Sequence, residues 1–394
     1  METTLIRIGE CINCNPSVKF EKGKTYPVID IDKIIVGRKF VTNKDFIAYS
    51  NQSGAKFENG DTLMARITPC LENGKIAKAQ IKGKGIGSTE LFVFRGIEGI
   101  TDNDFVYYLF KQQYIRELSA NSMTGASGRQ RADLKFIKRI KISLPILPIQ
   151  CKIASILSAY DSLIENNTKR IRLLEQMAEN LYKEWFVRFR FPGYENTEFV
   201  NGLPKGWKIE RIGALCETIG GGTPSTEKAE YWNGNIKWVT PSDITSKSSL
   251  PLLNIEGRIT EEGLKKSSAK MLPPHSILMT SRASIGFFGI APEPVCTNQG
   301  FISIVPNEES MRMYMLYSLK MRREEIIANA NGATFLEISK GRFRNMKMIV
   351  PTNDLLEKFE LKCQYIFNLV LTLERQSALL THQRDLLLPR LMSG

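Results

Sequence analysis

Ile153-Ala-Ser-Ile-Leu157-Ser-Ala-Tyr160-Asp-Ser-Leu-Ile164-Glu-Asn-Asn167-Thr-Lys-Arg-Ile171-Arg-Leu-Leu174-Glu-Gln-Met-Ala178-Glu-Asn-Leu181-Tyr-Lys-Glu-Trp185 sets the architecture of the chain. Counted in steps of four and three, Ile153, Leu157, Tyr160, Ile164, Asn167, Ile171, Leu174, Ala178, Leu181 and Trp185 form a seam that is apolar everywhere except Asn167. From Pro148 to Phe186 there is no internal Gly or Pro, so the stretch predicts one helix whose a and d positions face a partner helix. At 1.5 Å per residue it spans about 50 Å, more than a helix lying on its own domain needs. Asn167 in the seam predicts a register device, because a buried amide penalises slipped pairings.

A second stretch behaves alike. From Phe359 the count gives Phe359, Cys363, Ile366, Val370, Leu373, Ser377, Leu380, Arg384 and Leu387. Asp354 followed by Glu357 fits a capping pair at its start, and Pro389 predicts its stop. The two stretches are therefore expected to pack on each other through Ile153, Leu157, Tyr160, Ile164, Asn167, Ile171, Leu174, Leu181 and Trp185 of the first and Phe359, Ile366, Leu373, Leu380 and Leu387 of the second. The seam alone leaves parallel and antiparallel pairing open.

Outside these helices the chain reads twice. Leu5-Ile-Arg-Ile-Gly9 returns as Ile209-Glu-Arg-Ile-Gly213, Gly60-Asp-Thr-Leu63-Met64 resembles Ser276-Ile-Leu278-Met279, and Thr89 to Phe94 is matched by Gln299 to Ile304. Gly9 to Gly213, Phe136 to Phe343, Pro145 to Pro351 and Ile153 to Phe359 are separated by 204 to 207 residues, which means an internal duplication. Each copy is a run of short β segments punctuated by Gly, Pro, Asn and Asp, with one helix at Asp104 to Leu118 or Met311 to Ala328. The predicted fold is α+β: a mixed domain at 1–147, a central helix at 148–188, a second mixed domain at 189–352 and a C-terminal helix at 353–394.

Composition bounds the function. Of 394 residues, 42% are hydrophobic and 24% charged, as in a soluble globular protein, and no apolar run is long enough to span a membrane. Met1 to Glu10 lacks the apolar core of a signal peptide, so the cytoplasm is the expected compartment. A net charge of +13 points to a polyanion partner, nucleic acid before membrane. The seven cysteines are odd in number and scattered, as in a reducing compartment, and Cys11-x-x-Cys14 lacks the second pair a zinc site needs.

Leu144-Pro-Ile-Leu-Pro-Ile-Gln150-Cys-Lys-Ile153, Leu181-Tyr-Lys-Glu-Trp185-Phe186, Leu203-Pro-Lys-Gly-Trp207, Gly220-Gly-Gly-Thr-Pro-Ser225 with Trp238-Val-Thr-Pro-Ser-Asp243, and Leu386 to Gly394 occur in that order along the chain. Together with the duplication they resemble the specificity subunit of type I restriction-modification systems over essentially the full length. The resemblance implies two target recognition domains, each reading half of a split DNA site, held apart by an antiparallel pair of helices with a pseudo-twofold axis. It implies two methyltransferase subunits bringing S-adenosylmethionine, motor-nuclease subunits for restriction, and no cofactor in this chain. Helix length would then set the unread spacer, and divergence between the copies predicts an asymmetric target.

Loop cations, hydroxyls and Gly-rich turns supply the candidate DNA contacts, since Arg and Lys suit phosphates and guanine edges and Ser, Thr and backbone amides suit phosphates. In the first copy these are Arg38, Lys39, Arg66, Thr68, Lys82, Lys84, Arg129 and Arg131. In the second they are Thr223, Ser225, Lys237, Thr240, Ser242, Arg282, Ser284, Lys340 and Arg342. Arg129 and Arg131 sit where Lys340 and Arg342 sit in the repeat, and Arg66 and Arg282 follow matched Leu-Met pairs, so these are weighted most. Ile156, Leu163 and Met177, with Trp185 and Phe186, offer a docking stripe for partner subunits; packing on the chain's own domains is the plainer reading.

No catalytic constellation competes. Asn15-Pro16-Ser17 is not the Asn/Asp-Pro-Pro-aromatic motif of an adenine methyltransferase, and Gly83-Lys-Gly85-Ile-Gly87 precedes a strand rather than the helix of a nucleotide-binding loop. His275 in a Pro-Pro-His turn and His382 on the last helix read as surface or packing residues. A self-contained DNA methyltransferase or nuclease is one alternative; a non-catalytic coiled-coil scaffold without DNA affinity is the other.

Overall fold

In the computed structural model, which describes residues 3–125, 130–247, 249–332 and 336–393, the central helix runs from Leu147 to Tyr182 and a second long helix from Asn353 to Ser393. Pro148 falls in the first turn of the central helix, where its missing N–H costs nothing. Gln150, fully buried, fastens that turn: its Nε2 donates to the carbonyls of Ile100 and Pro145, and its Oε1 accepts from the Asp102 amide.

Two compact units divide the chain, the first comprising residues 1–166 with 376–394 and the second residues 167–375. Each contains a globular part and a piece of both long helices. In the first unit a five-stranded sheet runs in the order Ile12–Cys14, Leu91–Gly96, Thr62–Ala65, Ile76–Ala79, Phe40–Val41. Beside it lies a four-stranded sheet, Asp45–Ala48, Thr25–Ile29, Lys84–Gly87, Ala55–Glu58, while Thr3–Arg7 pairs antiparallel with Lys141–Pro145.

The second unit repeats the frame. Cys216–Gly220, Phe301–Pro306, Ile277–Thr280 and Phe288–Ile290 stand in the same order as the first four strands of the five-stranded sheet, and Lys208–Arg211 pairs antiparallel with Lys347–Val350. Gly9 and Gly213 recur for one reason. A Cβ on either would lie within about 3 Å of a neighbouring helix, at Lys138 in the first unit and Arg344 in the second.

Within each unit the long helices pack antiparallel. In the first unit Ile153, Ala154 and Leu157 share a core with Leu388 and Met392, with Leu387 packed at its edge. In the second, Ile171 is buried with Val370 and Leu373, flanked by Leu174 and Ile366, while Ala178, Tyr182, Trp185 and Phe186 meet Phe359, Cys363 and Phe367. Asn167 is buried; Tyr160, Ile164, Leu181, Leu380 and Leu387 are half-buried. The buried face of the C-terminal helix steps by four through Phe359, Cys363 and Phe367, and again through Arg384, Leu388 and Met392. Those two stretches lie on the globular cores, and between them Val370 and Leu373 keep the three-residue step of the predicted seam against Ile171.

Trp185 and Phe186, in the π-helical turn Lys183–Val187, are both buried. These aromatics therefore belong to the second unit's core and are withdrawn as a docking surface, whereas Ile156, Leu163 and Met177 are exposed.

Three local expectations need correction. The helix predicted from Asp104 to Leu118 is two, Asn103–Lys111 and Gln113–Asn121, broken by extended backbone at Gln112. Its counterpart likewise divides into Arg312–Met321 and Arg323–Ala328. Pro389 does not stop the last helix, which continues to Ser393 because Leu388 and Met392 on either side are buried in the first unit's core. Proline removes one backbone donor, and that local cost is offset by burial of two large apolar side chains.

Glu360 is buried in the second unit, where it accepts from the Met313 amide and the Arg312 guanidinium and so fixes the Arg312–Met321 helix to the C-terminal helix. Glu175 is another largely buried carboxyl; its Oε1 accepts from the Leu250 amide at 2.7 Å. Burial pushes its pKa up from 4.5 to about 7, the Leu250 amide and Lys320 opposing and Glu374 and Glu179 reinforcing the shift. The unfolded chain thus releases this proton near pH 4.5 and the folded chain only near 7, so stability falls as pH rises through that window. Glu175→Gln, which keeps the acceptor but carries no charge, is expected to leave stability unchanged below pH 4.5 and to raise it by about 1–3 kcal/mol above pH 7, read from denaturant titrations at both pH values.

Candidate nucleic-acid interface

The ends of Thr62–Ala65 and Ile277–Thr280 lead into loops with the same backbone scaffold. In the first unit the Arg66 amide donates to Glu90 O and the Ala132 amide to Arg66 O; in the second the Ser281 amide donates to Gly300 O and the Ile338 amide to Ser281 O. Thr124 pairs with Arg131 as Asn331 pairs with Glu337, and Ile67 bridges to Arg131 as Arg282 bridges to Glu337.

This equivalence re-aligns the repeat. Arg131 corresponds to Glu337, and Arg66 to Ser281, so Arg66 and Arg282 stand one residue apart in the matched frame. Adjacent residues of an extended segment point to opposite faces, so the two arginines are not equivalent in use. Lys340 and Arg342 lie further on, in the helix Lys340–Asn345, which matches Leu134–Arg139 rather than the arginine-bearing loop. Each unit carries an Arg–Glu pair here, but at different places in the frame: Glu90, in the place of Gly300, pairs with Arg131, whereas Arg282, in the place of Ile67, faces Glu337 across the bridge. Arg131 donates two hydrogen bonds to Glu90, holding that carboxyl below its usual range, while Arg282 lies 3.9 Å from Glu337.

Around the first cluster, Arg66 Nε stands 3.7 Å from Glu90 and its guanidinium lies over the Phe92 ring. Thr68 is half-buried, its Oγ1 close to Gln130 O at 3.4 Å. Arg129 falls outside the described residues. Arg38 is half-buried, Lys82 is exposed in a turn, and Lys84 donates to Lys19 O at 2.9 Å.

Lys39 is withdrawn. It is 4% exposed, its ammonium bonded to Asp104 Oδ1 at 2.7 Å and Ser158 Oγ at 2.7 Å, with burial lowering its pKa. A cation so enclosed cannot meet a phosphate. Its neighbour in sequence, Arg38, gave no signal that one side chain of the pair turns inward.

In the second unit the loops join into one patch. Thr223 Oγ1 donates to Gln299 Oε1, the Ala283 amide donates to Leu336 O, and Arg342 Nη1 donates to Asn331 Oδ1 at 2.7 Å. Lys340 Nζ lies over Gly220, where a Cβ would come within 3.1 Å of it. The Gly-rich turn is held from beneath by tryptophans: Trp238 Nε1 donates to Gly222 O and Trp232 Nε1 to Ser225 O. Thr240, Ser242 and Asp243 form the hydroxyl-and-carboxyl cap of the short helix Pro241–Thr245, so the Thr240 and Ser242 hydroxyls already serve each other at 2.8 Å. Ser284 is exposed, its carbonyl accepting from Thr280. Lys237, on the strand Trp232–Val239, is paired with Glu293, whose pKa it lowers.

Amide side chains at this rim carry no charge to mark them. Gln299 is exposed and Asn298 and Gln130 are half-buried beside the loop cations. Asn and Gln pair bidentately with adenine, but a reading weighted toward charge passes over them. Elsewhere, His275 packs on Phe367 and His382 is exposed. Burial pushes the Cys11 and Cys14 thiols up to about 11, away from metal-ligand behaviour. Among the described residues no His, Cys, Asp and Glu group could hold a metal, and no helix is long and apolar enough to cross a membrane.

Known proteins resemble this chain in sequence and fold. The family profile described as type I restriction modification DNA specificity domain matches residues 5–176 and again 204–356. The MjaIX specificity subunit of Methanocaldococcus jannaschii is 32% identical over 50% of this chain and 46% of its own length. The HindI specificity subunit of Haemophilus influenzae is 24% identical over 94% of this chain and 99% of its own. The crystal structure of a type I restriction-modification S subunit from M. genitalium superposes with a TM-score of 0.58 at 14% identity, covering 100% of this chain and 96% of that one, a likeness of fold. With two copies of the profile covering most of its length, the chain belongs to the type I restriction-modification DNA specificity family.

Proposed function

We propose that this chain is the DNA-reading subunit of a type I restriction-modification assembly, with recognition domains at 1–147 and 189–352 carried by helices at 148–188 and 353–394. Each domain reads one half of a split, asymmetric site. The observation that carries this reading is the loop scaffold common to both units, on which the side chains differ: Arg66, Ile67, Glu90 and Arg131 in one stand where Ser281, Arg282, Gly300 and Glu337 stand in the other. A fixed frame bearing different donors and acceptors reads different bases at equivalent places.

The chain is a recognition subunit and not itself the enzyme. Two methyltransferase subunits supply S-adenosylmethionine and modify adenine N6, flipping the base to reach it. Motor-nuclease subunits join for restriction. The exposed stripe of Ile156, Leu163 and Met177 suits one of these contacts. Seven free cysteines fit work in the reducing cytoplasm.

The test is to map methylated adenines in a host expressing the chain with its methyltransferase. A split motif with two different halves is expected, and Arg282→Ala should relax one position of one half at a cost of about 1–3 kcal/mol in binding. Methylation without a split motif, or unchanged by the substitution, overturns respectively the function and the placement of its site.

A further inference from the structure

A short corner leads into the strand Phe301–Pro306 of the second unit and into its counterpart, Leu91–Gly96, of the first. In the second unit the corner is Asn298-Gln299-Gly300: Asn298 Oδ1 accepts from the Gly300 amide at 2.9 Å, and Gly300 O accepts from the Ser281 amide. In the first it is Ser88-Thr89-Glu90: Ser88 Oγ accepts from the Glu90 amide at 3.2 Å, and Glu90 O accepts from the Arg66 amide. Ser88 and Asn298 are half-buried, while Thr89 and Gln299 are exposed. Gln299 therefore stands at the apex where Thr89 stands in the other copy.

Gln299 is held by its surroundings. Thr223 Oγ1 donates to its Oε1, and its Nε2 has no partner among the described residues. The Gly-rich turn that carries Thr223 lies directly on the backbone of the corner: the Gly222 amide donates to Thr297 O, and a Cβ on Gly221 would come within 2.0 Å of Asn298 O. Trp238 Nε1 fixes the same turn through Gly222 O, and the Asn298 amide donates to Val239 O. Thr223 thus sets which end of the Gln299 amide is oxygen, and that oxygen keeps a second lone pair. An acceptor beside a donor, in fixed order, matches N6–H and N7 of adenine in the major groove. Guanine presents two acceptors there, cytosine one donor and thymine one acceptor, so none of them satisfies both ends.

Building on the reading of this chain as a DNA-reading subunit, we propose that Gln299 specifies an adenine in the half-site of the second domain, with Thr223 as its positioning residue. Thr89 offers one hydroxyl and one methyl at the same place and cannot make the two-bond pair, so the first domain reads that position differently. The adenine read by Gln299 stays stacked in the duplex and is not the base extruded for methylation.

The test uses the chain with its methyltransferase subunits and duplexes carrying the mapped motif, each adenine of the half-sites replaced in turn by 7-deazaadenine, which lacks N7 but still pairs with thymine. At one adenine the replacement is expected to cost the unaltered assembly about tenfold in affinity, and that loss should vanish in Gln299→Ala. Gln299 is exposed, so its truncation should leave the tryptophan transition in urea where it was. At the same position Thr223→Val should lower the preference for A·T over G·C by about tenfold, while Thr223→Ser, which keeps the hydroxyl, retains it. A split motif with no 7-deazaadenine penalty in either half, or with a penalty indifferent to Gln299→Ala, overturns this assignment and leaves the reading beneath it standing. Equal preference in Thr223→Val and Thr223→Ser removes the positioning role. Methylation without a split motif overturns the reading itself, and the assignment with it.

Discussion

Arg384→Met is expected to lower the stability of the first unit by about 3–5 kcal/mol. Arg384 is the largest fully buried side chain, and it sits on the C-terminal helix facing Asp161 of the central helix with both side chains 2% exposed. Asp161 Oδ1 takes the guanidinium at 2.5 Å, and its Oδ2 accepts from the Tyr108 hydroxyl. Removing the arginine leaves a carboxylate enclosed with one neutral donor, and the cost is mostly that of the stranded charge. The double variant Asp161→Leu, Arg384→Met should lose much less than the two single changes summed. All four tryptophans, at 185, 207, 232 and 238, lie in the second unit, so fluorescence cannot report this change. Hydrogen exchange at residues 105–110 and 153–161 can: protection there should fall while the tryptophan transition in urea stays put. A loss below about 1 kcal/mol would mean that Asp161 finds water or a proton, and the enclosed pair would have no structural weight.

Phe359→Ala is expected to cost the second unit about 3–5 kcal/mol, the range for emptying a large aromatic site in a core. The Phe359 ring is fully buried, with Phe186 edge-on at 4.9 Å, Trp185 at 5.9 Å and Tyr182 at 6.2 Å. This residue joins both long helices to the globular part, because the same cluster holds Tyr314, Tyr317 and Leu356. The void cannot close easily between rings that already contact each other, so relaxation recovers little. Here the tryptophan transition should move to lower urea while exchange at residues 105–110 is unaffected. Phe359→Leu, keeping most of the apolar surface, should lose less.

Periodicity and repetition carried most of the architecture. The Ile153 to Trp185 seam gave the central helix, and the offset near 206 residues gave two copies whose sheets prove to share one strand order. Direction of pairing lay beyond periodicity, since an apolar seam is symmetric to reversal. The breaks at Gln112 and Arg322 carry no Gly or Pro, so no local chemistry announced them. At the candidate interface, charge found the arginines but could not tell Lys39, drawn inside by Asp104 and Ser158, from Arg38 beside it. Arg131 and Arg342 looked equivalent because both follow one of the repeated glycines, Gly125 and Gly332; only the ladder partners, Thr124 and Asn331, show that they are not. Arg384 fell on the predicted seam as its one cation, but a seam position does not name the carboxylate that pairs with it, Asp161.

Residues 376–394 complete the unit that begins at the other end of the chain, supplying Arg384, Leu388 and Met392 to its interior. A nascent chain therefore carries its first domain with a side uncovered until Arg384, Leu388 and Met392 have emerged from the ribosome. Premature termination near Gln376 would damage the domain made first, and spare the one made last.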